Sequence, residues 1–159
     1  GTNRQYAFQA LYDDMVRVDR NRFVANRLVN FSVDEIDAVL SRFITDNFRA
    51  IRDVTTFAMF PLCGQSWNHY LLESFCYKYS REYSLHVIHF NDKNAGIIAE
   101  KDFNRSYNEM LAIALARTDV NLSPEVIGQY LFSTGYMAKS KYAKLSEIAQ
   151  QAIKLRKER

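Results

Sequence analysis

The predicted fold is decided by residues 84–100, which read SLHVIHFNDKNAGIIAE. Two apolar runs rich in β-forming residues, 84–90 and 95–100, flank a polar turn at residues 91–94. This pattern is typical of a β-hairpin. An isolated hairpin is only marginally stable in water, so this one must pack against structure predicted elsewhere in the chain.

Helical signals lie on both sides of these residues. Two segments show the spacing of a capping box, in which a serine and a glutamate three residues later bond each other's backbone. They are Ser32 with Glu35 and Ser106 with Glu109. A further helix begins at Pro124 and ends near Gly135, because proline suits a first helical position and glycine suits the residue after the last turn. Other helices are predicted over residues 4–18, 48–60 and 67–79, and from about Ser140 to the C-terminus.

These signals predict a mainly α fold of the α+β class, with five to seven helices packed around one β-hairpin near residues 85–100. A length of 159 residues suits a single helical domain over residues 1–159. A chain of this length buries enough surface to fold without a metal or a disulfide. It begins with Gly1 and ends in a predicted helix, which we interpret as a domain excised from a longer protein.

Composition excludes several classes of protein. No run of 18 apolar residues occurs, so we expect no membrane partner. Five glycines and two prolines are too few for a collagenous or disordered chain. Two cysteines are few for a secreted domain built on disulfides, which favours the cytoplasm. No glycine-rich phosphate loop is present, and we expect no cofactor.

The histidines and cysteines provide a weak catalytic hypothesis and no metal site. His89 follows His86 by three positions on a predicted strand, and an odd spacing sends their side chains to opposite faces. Cys63 precedes a predicted helix that contains His69, and a thiol near a helix N-terminus has a lowered pKa. With Trp67, these two residues define a candidate pocket. The alternative function is therefore an enzyme, or an accessory domain of an enzyme, although no catalytic residue is assigned.

Positive charge is concentrated at the end of the chain. Seven of the 21 basic residues but only two of the 18 acidic residues lie in residues 136–159. Lys139, Lys141 and Lys144, with Tyr142 between them, stand at the start of the last predicted helix. With the preceding helix they form a helix-turn-helix-like arrangement. Lysines oppose the dipole at a helix N-terminus, whereas lysines together with free backbone N–H groups suit phosphate oxygens.

The leading hypothesis is a non-enzymatic binding module of a larger cytoplasmic protein. Its basic C-terminal helix contacts nucleic acid, another protein or a domain of the parent chain. A second candidate surface is aromatic. Six tyrosine, tryptophan and phenylalanine side chains lie between Trp67 and Tyr83, which is too many for one helix face. We therefore expect some of these rings at the surface or in an interface.

Overall fold

A computed structural model describes residue 11 and residues 13–90 and 93–159. This part of the chain contains five strands and five α-helices. The strands are β1 (Met15–Asp19), β2 (Arg22–Ala25), β3 (Phe48–Ala50), β4 (Tyr83–His86) and β5 (Ile97–Glu100). The helices are α1 (Val33–Leu40), α2 (His69–Lys78), α3 (Tyr107–Ala116), α4 (Pro124–Ser133) and α5 (Leu145–Lys157). None of these helices is both long and apolar enough to cross a membrane.

The prediction of a mainly α fold with five to seven helices around one hairpin is wrong, because the described residues form two sheets. Strands β1 and β2 pair in an antiparallel hairpin, and a second antiparallel sheet has the order β3-β5-β4. The chain is therefore a mixed α+β protein. Strand β5 is central because it pairs with both β3 and β4. Ile97, Ile98 and Ala99 are all fully buried, as expected for a strand covered on both faces.

The three-stranded sheet lies between two groups of helices. Alternate residues of a strand point to opposite faces. Ile97 and Ala99 pack into the apolar cluster formed with α3, α4 and α5. Ile98 packs into a separate cluster formed with α1 and α2. Beyond α2, the β1–β2 hairpin adds a further layer through Val16 and Val18.

Two predicted helices are replaced by strands. Residues 48–60 contain β3, a short 3-10 turn (Ile51–Asp53) and a loop, because Phe48–Ala50 pairs with β5. The β-branched residues that follow are also poor helix formers. The end of the segment 4–18 forms strand β1, which pairs with the adjacent strand β2. Residues 4–10 and 12 of that prediction lie outside the described residues.

The predicted hairpin around residues 85–100 exists but is shorter than expected. Tyr83–His86 pairs with Ile97–Glu100, and the loop between them spans residues 87–96. Val87 and Ile88, which were predicted to extend the strand, lie in this loop. Gly96 leaves no room for a side chain, because a Cβ there would lie 2.5 Å from the Val87 side chain. Residues 91 and 92 of the predicted turn lie outside the described residues.

Some of the predicted capping interactions are present at the helix ends, and one is not. Ser106 and Glu109 form the predicted capping box at the start of α3. Helix α4 begins at Pro124 as predicted, and Gly135 adopts a positive φ of 87° just after it. Helix α1 also begins after Ser32, but the Ser32 side chain makes no capping hydrogen bond, so the predicted capping box there is wrong.

The prediction that some aromatic rings between Trp67 and Tyr83 reach the surface holds in part, because four of the six are half-buried and none is fully exposed. Their place in an interface stays a prediction. Helix α2 is enclosed because α1 and the sheet cover one side and the β1–β2 hairpin covers another. Tyr70 lies over the guanidinium of Arg17, 4.5 Å from its central carbon. Tyr77 packs edge-on against Phe90 with ring centres 4.8 Å apart. The six rings between Trp67 and Tyr83 are all buried or half-buried.

Candidate nucleic-acid interface

The predicted lysines lie in the segment between α4 and α5, which we call the basic connector (residues 134–144). Lys139, Lys141 and Lys144 are exposed, and Tyr142 is half-buried. The expectation that the last helix begins near Ser140 is wrong, because α5 begins at Leu145. Lys139 and Lys141 therefore precede the helix. The connector is also longer than the three or four residues that join the helices of a helix-turn-helix motif.

Buried contacts hold the middle of the basic connector in place. The carbonyl oxygen of Ser140 lies so close to Gly128 of α4 that a Cβ there would be 2.2 Å from it. The Tyr142 hydroxyl donates a hydrogen bond to Oδ1 of Asn108 in α3, at 2.9 Å. Tyr136 is almost fully buried, and burial raises its pKa to about 12, so it remains neutral. The lysines are therefore displayed on an anchored backbone.

Two further basic residues, Arg52 and Lys93, are linked by contacts to the beginning of the basic connector. Gly135 accepts a hydrogen bond at its carbonyl from the N–H of Gly96, at 2.9 Å. The aliphatic stem of Arg52 covers Gly135, where a Cβ would lie 2.7 Å from the Arg52 Cδ. The Arg52 guanidinium donates to the carbonyl of Lys93, at 2.7 Å. Both Arg52 and Lys93 are exposed. The sequence gives no local signal for this contact, because both residues are far from the connector along the chain.

The basic residues of the C-terminal region divide into two groups. Arg156 donates to the carbonyls of Leu115 and Val120, at 3.2 and 2.6 Å. Arg159 donates to the carbonyl of Ala116. These arginines bind backbone carbonyls at the end of α3 and in the loop that follows it, so their role is structural. The connector lysines make no such contacts.

Two connector lysines form no ion pair with the part of the chain that the structure describes. Lys144 approaches Glu147 at 3.7 Å, an exposed pair that contributes little to stability. Neither Lys139 nor Lys141 has an ion-pair partner in residues 13–90 and 93–159. These two ammonium groups are therefore available to an external anion.

The residues of the alternative catalytic hypothesis bind backbone carbonyls instead of each other. The Cys63 thiol donates to the carbonyl of Gln65 at 3.4 Å, and burial raises the pKa of this thiol. His69 Nε2 lies 2.8 Å from the carbonyl of Val54, which can only accept, so Nε2 carries the proton. Trp67 Nε1 donates to the carbonyl of Pro61 at 2.8 Å.

No hydrogen bond joins Cys63 to His69 among the residues that the structure describes. A cysteine nucleophile needs a lowered pKa and a base within hydrogen-bond distance. Here burial favours the neutral thiol, and Nε2 of the imidazole is already bonded. Glu73, the carboxylate of the same helix, is buried beside Arg17, at 3.7 Å. The arrangement favours a structural role for this region.

Comparison with known proteins assigns the chain to no family. No protein-family model matches it, and neither does any curated protein or solved structure. What the chain binds must therefore be inferred from its own charge, burial and contacts. The basic connector is the region of the described chain where exposed lysines and an anchored backbone occur together.

Proposed function

We propose that this chain is a non-enzymatic binding module whose basic connector contacts nucleic acid. The observation that carries the proposal is the pair of exposed, unpaired lysines, Lys139 and Lys141, on a backbone anchored to α4. Lys144, Arg52 and Lys93 extend the positive surface from both ends of the connector. Clustered positive charge on one face attracts the phosphate backbone and supplies most of the affinity in non-specific binding.

Nucleic acid is favoured over a protein partner by the kind of residue displayed. Lysine is depleted in protein–protein interfaces, whose centres favour aromatic residues, methionine and arginine. Lysine contacts to phosphate oxygens, by contrast, are common in nucleic-acid complexes and do not depend on the base sequence. The connector lysines offer point charges and not the bidentate donors that read a base edge.

The compartment follows as part of the same proposal. Cys63 and Cys76 are both buried and unpaired with each other. Two free thiols in one chain favour a reducing environment. We therefore propose the cytoplasm as the location, where nucleic acid is also accessible to the connector.

The test is binding of fluorescently labelled oligonucleotides, measured by anisotropy at low and moderate salt. We expect dissociation constants on the order of 10⁻⁴–10⁻⁶ M that depend steeply on salt and little on sequence. Replacing Lys139, Lys141 and Lys144 together with glutamine should reduce the log–log salt slope by up to about 0.9 for each lost phosphate contact. The melting temperature should change little, because exposed charges contribute little to stability.

The matched control exchanges Lys154 and Lys157 of α5 for glutamine, which removes exposed charge of the same type outside the connector. This double variant should retain most of the binding. If no oligonucleotide binds at low salt, or if the triple variant binds as well as the parent chain, the proposal is wrong. An acidic protein would then be the next partner to test.

A further inference from the structure

The most exposed aromatic side chain among the described residues is Phe132, at 40%. It lies in the last turn of α4, directly before the basic connector. All other described aromatic residues are buried or half-buried. A single exposed ring needs no explanation by itself. The exposure of Phe132 matters here because the residue is close to the basic connector in the sequence.

The spacing along the chain places Phe132 close to two positions that contact the connector or a basic residue, Gly128 and Gly135. Phe132 follows Gly128 by four residues, so the two positions are neighbours on one side of α4. The Ser140 carbonyl packs on Gly128, which places the residues on either side of Ser140 beside this part of the helix. Three residues after Phe132, Gly135 is covered by the Arg52 stem. The residues that flank Ser140 are Lys139 and Lys141.

The nearest exposed neighbours of Phe132 on its own helix carry no charge. Gln129 precedes it by three residues, and Ser133 follows it directly. The acidic residue of α4, Glu125, is seven residues away, which is about two turns of the helix. An anionic ligand that reaches the ring therefore meets no carboxylate from the adjacent turn of α4.

We infer that the ligand of the basic connector is single-stranded nucleic acid, with a base stacked on Phe132 while its phosphates contact Lys139, Lys141 and Arg52. The inference rests on the proposed nucleic-acid function and narrows it. In the interior of a duplex both faces of each base are already stacked, so an exposed aromatic ring has no base face to contact there. In a single strand the bases are free to stack on an aromatic side chain next to a positively charged groove.

The experiment compares a labelled single strand with a duplex of the same sequence by anisotropy. The single strand should bind more tightly than the duplex. Phe132→Ala and Phe132→Leu should each weaken single-strand binding about tenfold, because neither residue has a π face. Neither variant should alter duplex binding or the salt slope. Phe132→Trp should retain affinity, and its added fluorescence should be quenched by the strand.

Val126→Ala is the matched control, because Val126 is an equally exposed apolar residue of α4, at 40%. It should leave single-strand binding unchanged. Equal affinity of the two forms, with no loss in Phe132→Ala or Phe132→Leu, would overturn the inference. If the triple lysine variant still loses binding in that case, the proposed function stands without the stacking ring. If the parent chain binds neither form, both proposals fail.

Discussion

Helix α2 and the basic connector differ in the burial and the ion pairing of their charged side chains. On α2, Glu73 is buried beside Arg17 of β1, and both side chains are almost completely inaccessible. In the connector, Lys139 and Lys141 are exposed and have no described ion-pair partner. A charge inside a protein needs a partner because its desolvation is costly. The first region therefore uses charge to join two layers of the fold, and the second leaves charge accessible to a ligand.

Of the substitutions that we propose, removal of the buried carboxylate of Glu73 should lower the stability of the fold most. Glu73→Gln keeps the shape of the side chain but removes the negative charge that faces the buried guanidinium of Arg17. We expect the free energy of unfolding to fall by about 3–5 kcal/mol. Denaturant unfolding measures this change. Glu147→Gln removes an exposed carboxylate instead and should cost less than about 1 kcal/mol. Equal effects of the two variants would show that the buried pair does not differ from a surface pair.

Adding one methyl group to α4 should have the next largest effect. Alanine normally stabilises a helix relative to glycine. At Gly128, however, the new Cβ would lie 2.2 Å from the Ser140 carbonyl, so the connector must move. We expect Gly128→Ala to lower stability by about 1–3 kcal/mol, the typical cost of overpacking. A stabilised variant would mean that the connector is not held against α4.

The control for this change is Gln129→Ala, at an exposed position of the same helix. It should be neutral or slightly stabilising, because alanine is the better helix former and no contact is lost. Thermal unfolding of the two variants separates the effect of the close approach from that of helix propensity.

A smaller change in stability should distinguish the serine at the start of α3 from the serine at the start of α1. Ser106 accepts a hydrogen bond from the N–H of Glu109 at 3.1 Å, in the first turn of the helix that also holds Tyr142 of the connector. Ser106→Ala should therefore cost about 1 kcal/mol. Ser32 makes no side-chain cap, so Ser32→Ala should cost much less. Equal midpoints for the two variants in thermal unfolding would contradict this difference.

Local signals predict part of the fold well. The capping box of α3, Pro124 at the start of α4 and the positive φ of Gly135 depend only on neighbouring residues, and all three were predicted. Strand β3 was missed because its partner, β5, is far away in the sequence. The enclosure of α2 was missed for a similar reason, since the hairpin that covers it comes from a segment predicted as helix.

For the candidate site too, some features could be predicted from the sequence and others depend on tertiary packing. The excess of lysine in residues 136–159 is visible in composition alone. The separation of Lys139 and Lys141 from the structural Arg156 is not visible there, because it depends on which side chains reach the end of α3. The contact of Arg52 with Gly135, and that of Ser140 with Gly128, depend on packing between segments that are distant in the sequence.

The contact between Ser140 and Gly128 also has an entropic consequence. Ordering the backbone of one residue costs about 1–2 kcal/mol in lost conformational freedom. In a flexible basic tail that loss occurs when the ligand binds, and it subtracts from the affinity. Here the backbone on either side of Ser140 is already ordered when the protein folds. Under the proposed function, a ligand at this surface would restrict mainly the side chains of Lys139 and Lys141, and less of the attraction between opposite charges would be lost to ordering of the backbone.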